Sequence, residues 1–87
     1  MGVIAGQVKD NKQIPIPDVK IGVTKGTASY PDIIALTDDN GEYDLEYIST
    51  GTFEVTASKD NYITQTKVAK VKGNEETKLD FVLELKD

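Results

Sequence analysis

The amino-acid sequence predicts an all-β domain of seven short strands, and three observations lead there. Apolar and polar residues alternate with a period of two in one segment after another, which is the pattern of half-buried strands. Turn-forming residues separate those segments at short intervals,. No ten-residue window carries the 3.6-residue period of an amphipathic helix, so no helix of consequence is expected. Short strands at regular spacing imply a sandwich or a small barrel.

Each element follows from its residues. Near the start, Ile4, Gly6 and Val8 face one way while Gln7 and Lys9 face the other. Asp10-Asn11-Lys12-Gln13 ends that strand. Val19, Ile21 and Val23 take alternate positions in the second. Asp32–Thr37 holds Ile33, Ile34, Ala35 and Leu36 in a row, which suits a third strand buried on both sides. Asp38-Asp39-Asn40-Gly41 reads as a tight hairpin turn, because Asn and Gly tolerate the positive φ that such turns need. In Glu42–Tyr47, acidic residues alternate with Tyr43, Leu45 and Tyr47. Thr52–Ser58 repeats the pattern around Phe53, Val55 and Ala57. Tyr62–Val71 changes parity near Val68-Ala69, and a β-bulge there would account for the change. Leu79, Phe81, Leu83 and Leu85 alternate with mostly polar residues in the last strand. Ser49-Thr50-Gly51, Lys59-Asp60-Asn61 and Lys72-Gly73-Asn74 supply the remaining turns. The expected core is Tyr43, Leu45, Ile48, Phe53 and Val55, with Tyr62 over one end and its hydroxyl making a corner bond.

Composition excludes several chemistries. At 87 residues the chain is one domain,, and a domain of that size buries only about 60% of its unfolded surface. It has no Cys and no His. Disulfides, a thiolate nucleophile, a Ser-His-Asp site and a Cys/His zinc site are therefore excluded. The net charge of −5 repels phosphate backbones, so nucleic acid is not an expected partner. The ten lysines are scattered and form no basic stripe. No apolar run approaches the ~20 residues that a membrane-spanning helix needs. The chain opens Met1-Gly2-Val3-Ile4 without the pattern of a signal peptide,. That fits a whole cytosolic protein or a piece of a longer one.

Each candidate site has a plainer structural reading beside it. Glu42, Asp44 and Glu46 fall on the wet face of their strand, where nothing would tune them for acid–base work. An EF-hand reading of Asp38–Gly41 puts Leu36 and Tyr47 at the first and last ligand positions, and both fail. An isopeptide bond needs its Lys, its Asn or Asp, and its Glu in the apolar interior. Lys9, Lys20, Asp80 and Glu84 have the polar parity instead. No catalytic residue, cofactor or metal is expected. Carbohydrate recognition needs exposed aromatics. With no Trp present, Tyr30 in the long loop and Tyr47 at a strand end are the candidate ligand contacts.

The order of landmarks resembles the carboxypeptidase regulatory-like domain, a transthyretin-like (prealbumin-like) β-sandwich family. Ile4-Ala5-Gly6-Gln7-Val8 looks like its first strand, and Ile14-Pro15-Ile16-Pro17-Asp18-Val19-Lys20-Ile21 is similar to its entry to the second. Thr37-Asp38-Asp39-Asn40-Gly41-Glu42-Tyr43-Asp44-Leu45, then Ile48, Gly51, Phe53, Val55, Ala57 and Tyr62, is close to its central signature. Leu79–Leu83 looks like its last strand. Asp18 and Asn61 stand where the family more often has Gly; both residue types replace Gly well in a left-handed turn. The spacer Lys25–Asp32 is longer than usual.

The resemblance implies a seven-stranded antiparallel Greek-key sandwich over residues 1–87, cut from a larger secreted, cell-surface or periplasmic protein. It implies a non-catalytic accessory module acting as a spacer or folding support. Its partners would be neighbouring domains, and the module would be monomeric in isolation. Binding another protein through a sheet edge or loop 25–32 is the alternative expectation, and carbohydrate binding is the third.

Overall fold

The computed structural model describes residues 2–30 and 34–86, without the side chain of Tyr47. Among the described residues, eight strands form two sheets. The first sheet holds β1 (Gly2–Asp10), β4 (Glu42–Ile48), β7 (Glu76–Lys78) and β8 (Phe81–Leu83). The second holds β2 (Lys20–Gly26), β3 (Ile34–Leu36), β5 (Gly51–Ser58) and β6 (Gln65–Val71), in the order β3-β2-β5-β6. The chain changes sheet between β1 and β2, β3 and β4, β4 and β5, and β6 and β7. Such crossings place β1 beside β4 and β2 beside β5. No helix is present among the described residues.

The seven expected strands and the eight observed are reconciled at β1. On one side β1 pairs antiparallel with β4, from Gly2↔Ile48 to Gln7↔Glu42. On its other side two short strands follow one another: β7 against Val3–Ala5, then β8 against Val8–Asp10. They fill one strand position, interrupted at Leu79-Asp80. This pairing is parallel, a departure from the all-antiparallel expectation. It arises because β6 ends at the pole where β1 begins, and the chain changes sheet there before running alongside β1.

The inward faces meet in one core. Ile4 and Val8 from β1, Ile21 from β2, and Phe53, Val55 and Ala57 from β5 are all buried. So are Tyr43, Leu45 and Ile48 from β4, Ala69 and Val71 from β6, and Phe81 and Leu83 from β8. All five residues expected in the core are there. Each large apolar side chain so buried contributes about 1.5–3 kcal/mol. Ile16 and Val19, in the segment between β1 and β2, also pack into the core. Among the described residues, Thr37 is the buried polar side chain. Its hydroxyl donates to the Ile16 carbonyl at 2.7 Å and accepts the Val19 N–H at 2.9 Å, which satisfies both of its roles.

Four local expectations change. β3 is not buried on both sides. It is an edge strand, with Ile34 65% and Leu36 57% exposed; Asp32 and Ile33 lie outside the described residues. No bulge is needed in β6, whose register to β5 is unbroken from Gly51↔Val71 to Ala57↔Gln65 because Val68 simply faces solvent. Register shifts occur in β1 and β2 instead. The Asp38–Gly41 turn forms, with the Gly41 N–H on the Asp38 carbonyl at 2.9 Å and Gly41 at φ 73°. It joins strands of different sheets, so it is a corner between sheets and not a hairpin within one. The corner bond expected of Tyr62 is made by Tyr43, whose hydroxyl donates to the Leu79 carbonyl.

Candidate functional site

Four places on this frame could carry function: the loop after β2, a polar concavity at one pole, the free edge at β3, and the junction between β7 and β8. The loop after β2 is tied at its base. The Thr27 N–H donates to the Thr52 carbonyl and the Thr52 N–H to Thr27 Oγ1, each at 3.0 Å. Beyond it, the Tyr30 ring meets Phe53 edge-on, with centroids 6.1 Å apart and planes at 89°. Part of Tyr30 thus closes the core at the pole where β1 begins, and 36% of the residue remains exposed. Tyr47 belongs to β4, and its side chain lies outside the described residues.

The opposite pole carries an open polar concavity of about 620 Å³. Two left-handed turns frame it, at Asp18 (φ 60°) and Asn61 (φ 74°). These are the two positions where the resemblance substitutes Asp and Asn for Gly, and the backbone conformation accounts for both. The Lys59 ammonium crosses between the turns to donate to the Pro17 carbonyl at 2.7 Å. Lys20 and Lys86 stand with Asp18 and Asp60 on the rim, a mixture of charges that selects neither anions nor cations.

The free edge belongs to β3, which pairs with β2 alone in its sheet. An edge strand with outward Ile34 and Leu36 offers both unpaired backbone and apolar surface to a partner.

The fourth place, the β7–β8 junction, was not visible in the sequence. At Leu79-Asp80 the chain presses onto β1, where a Cβ at Gly6 would overlap the Leu79 carbonyl oxygen. The Leu79 N–H donates to the Ala5 carbonyl at 2.8 Å. Asp80 Oδ1 then takes the Gln7 N–H at 2.8 Å, so a side chain supplies the acceptor that the interrupted ladder lacks. Lys67 Nζ donates to the Asp80 carbonyl at 2.6 Å and lies 5.6 Å from the Phe81 ring centroid. Burial raises the Tyr43 phenol above its ordinary value, and the charge of Asp80 adds to the shift. Tyr43 therefore stays protonated and keeps donating to Leu79. A Tyr on the core face of β4 and a Gly within an apolar strand were the only sequence signals for this junction.

Among the described residues, no buried side-chain polar atom lacks a partner, and no three His, Cys, Asp or Glu side chains converge as a metal cage. The acidic turn is occupied by its own backbone: Asp38 Oδ1 accepts the N–H groups of Asn40 at 2.9 Å and Glu42 at 3.0 Å.

Fold and landmarks define a two-sheet β-sandwich. The chain belongs to the carboxypeptidase regulatory-like domain family, whose model matches residues 3–84. It is 34% identical over 80 residues to structural protein 27 of a virus (isolate Australia/Victoria). The match takes in 92% of this chain and 14% of that protein, so the chain corresponds to a small part of its viral relative. Among solved structures it resembles a chain of a type II cohesin–X-dockerin complex from Acetivibrio cellulolyticus, at 18% identity and a TM-score of 0.71. That likeness covers all of this chain and 60% of the other. It also resembles 3-chlorocatechol 1,2-dioxygenase from Rhodococcus opacus 1CP, at 15% identity and a TM-score of 0.68, over 98% of this chain and 60% of that one. One fold thus serves a protein complex and an enzyme, and the likeness shows the fold alone.

Proposed function

We propose that this chain is a non-catalytic module of a longer extracellular or surface-assembled protein, where it acts as a spacer between neighbouring domains. The observation that carries the reading is the parallel pairing of the first and last strands. Gly2 lies at one pole beside Ile48, whereas Leu83 pairs with Asp10 at the other. A longer polypeptide passing through the module would enter at one pole and leave at the opposite one, along a body 37 Å in its longest dimension. The small share of the viral structural protein that it matches supports a modular role. The satisfied interior polar groups and the wet carboxylates of β4 support the absence of catalysis.

A module swap in the full-length parent protein tests this. Replacing residues 2–86 with an unrelated sandwich of equal pole-to-pole span should preserve assembly, whereas deleting them should not. If the swap fails as the deletion does, the module's own surface matters and the spacer reading is wrong. A second reading, partner binding, is favoured by the exposed Ile34 and Leu36 on the β3 edge. Under that reading Ile34→Lys with Leu36→Lys, in the otherwise intact parent, reproduces the deletion.

A further inference from the structure

We infer that the module bears tension, with β1 and the β7–β8 strand forming a clamp that is loaded in shear and locked in register where Gly6 receives the Leu79 carbonyl. The inference deepens the spacer reading and rests on it for its biological setting. The mechanics rest on the geometry alone.

Tension applied through the two ends pulls β1 toward its own pole and β8 toward the other. The strands are neighbours and run parallel, so they can separate only by sliding past one another. Sliding strains all the pairs from Val3↔Glu76 to Asp10↔Leu83 together. An antiparallel pair pulled from adjacent ends would instead open one bond at a time. The bonds outside the clamp yield first. The Lys86 N–H to the Asn61 carbonyl and the Ile63 N–H to the Glu84 carbonyl, both 2.8 Å, lie between the pulled end and β8, and they peel in sequence.

Register adds a steric stop. Moving β1 toward its pole by one residue brings Gln7 to the place of Gly6, and by two residues, about 6.6 Å, brings Val8 there. The two-residue movement drives the Val8 Cβ, which points to the same face as Gly6, into the Leu79 carbonyl, which only a glycine tolerates,. Leu79 cannot easily step aside. Its carbonyl holds the Tyr43 hydroxyl and its N–H holds Ala5. The adjoining Asp80 is tied to Gln7 through its side chain and to Lys67 through its carbonyl. A one-residue slip also turns every core side chain of β1 outward.

Single-molecule force spectroscopy on the 87-residue chain tests the clamp. The chain has no cysteine, so an introduced thiol gives a unique handle. Pulled between its two termini, the chain should rupture in one step. Pulled between the N-terminus and Gly73→Cys, in the turn before β7, the same strands should open from one end at about half that force or less, because forced rupture follows the unfolding barrier along the pulled direction. Asp80→Ala should lower the end-to-end force, whereas Thr37→Val, a destabilising change remote from the clamp, should lower it much less at matched thermal stability. Equal forces in the two geometries would overturn the inference, as would equal losses from the two variants. Either outcome leaves the spacer reading to be judged by the module swap.

Discussion

The two flanks of the sandwich are closed by different means. Where β6 faces β7 and β8, polar bonds stitch the sheets along their length: Ile63 to Glu84, Lys86 to Asn61, Lys67 to Asp80, and Thr77 Oγ1 to the Lys70 carbonyl at 3.2 Å. Where β3 faces β4, the described connections are the Asp38 N–H to the Glu42 carbonyl and the Glu42 N–H to Asp38 Oδ1, each at 3.0 Å, at the corner where the chain passes between them. The sealed flank is thus nearly a barrel wall, and the other is an edge. Edges are a hazard because unpaired backbone invites pairing. Here the hazard is limited by length, since β3 spans three of the described residues. The contrast teaches where rigidity resides: β1 and the strand beside it form the part that resists opening, and β3 is the part free to yield or to receive.

The sharpest way to break the sealed flank is Gly6→Val. Its Cβ collides with backbone held by three hydrogen bonds, with a fourth through the Asp80 side chain, so the neighbour cannot relax as a flexible side chain would. A loss of about 3 kcal/mol or more is expected, enough to leave much of a domain this small unfolded. Chemical denaturation measures it, and a loss below about 1 kcal/mol would mean that the β7–β8 junction shifts easily. On the open flank the corresponding weak point is Thr37→Val, which strips the partner from the Val19 N–H in the interior. An unsatisfied buried donor costs about 1–3 kcal/mol, read as a fall in the thermal midpoint of roughly 4–8 °C per kcal/mol.

The same contrast separates what the sequence could show from what it could not. Alternation located β1, β2, β4, β5 and the start of β8, because each has one face in the core. The left-handed turns at Asp18 and Asn61 and the turn at Gly41 were legible from residue type, but not that the Gly41 turn passes between sheets. β7 escaped notice: Glu76, Thr77 and Lys78 pair with β1 at a sheet edge and bury little, so no apolar period marks them. The run Ile33–Leu36 misled in the opposite direction. Four apolar residues in a row fit a strand covered on both sides, yet nothing local states whether a second neighbour exists, and β3 has one. Pairing across the sandwich is non-local, so the parallel contact of β1 with β7 and β8 had no signature in any single segment, and only Gly6 and Tyr43 bore on the junction. The candidate ligand residues fared according to their surroundings: Tyr30 proved to be partly committed to Phe53, which the sequence had no means of indicating.

Tyr43→Phe tests the sealed flank more gently, because it removes one hydroxyl and keeps the ring in the core. Losing the bond to the Leu79 carbonyl should cost about 1 kcal/mol. The pH dependence gives a second readout. Burial raises the folded phenol above the unfolded value of about 10,. The neutral form is therefore favoured by folding, its contribution is complete below that pH, and it is lost as pH rises further. The wild-type chain should lose stability above about pH 10 more steeply than Tyr43→Phe, with the two curves converging as the medium grows more alkaline. Parallel curves would show that the hydroxyl is not sealed at the junction.

The smallest effect is expected at the open edge. Ile34→Lys and Leu36→Lys replace side chains that already face water, so each should change stability by no more than about 0.5 kcal/mol. Amide exchange gives the companion measurement. Protection in β3 should correspond to a lower opening free energy than in β1, since a short edge strand opens without disturbing the core. If the double lysine variant melts far below the parent chain, or if β3 exchanges as slowly as β1, then β3 is clasped by contacts on its outer side. The flank would then be closed, and an incoming strand would have no edge to join.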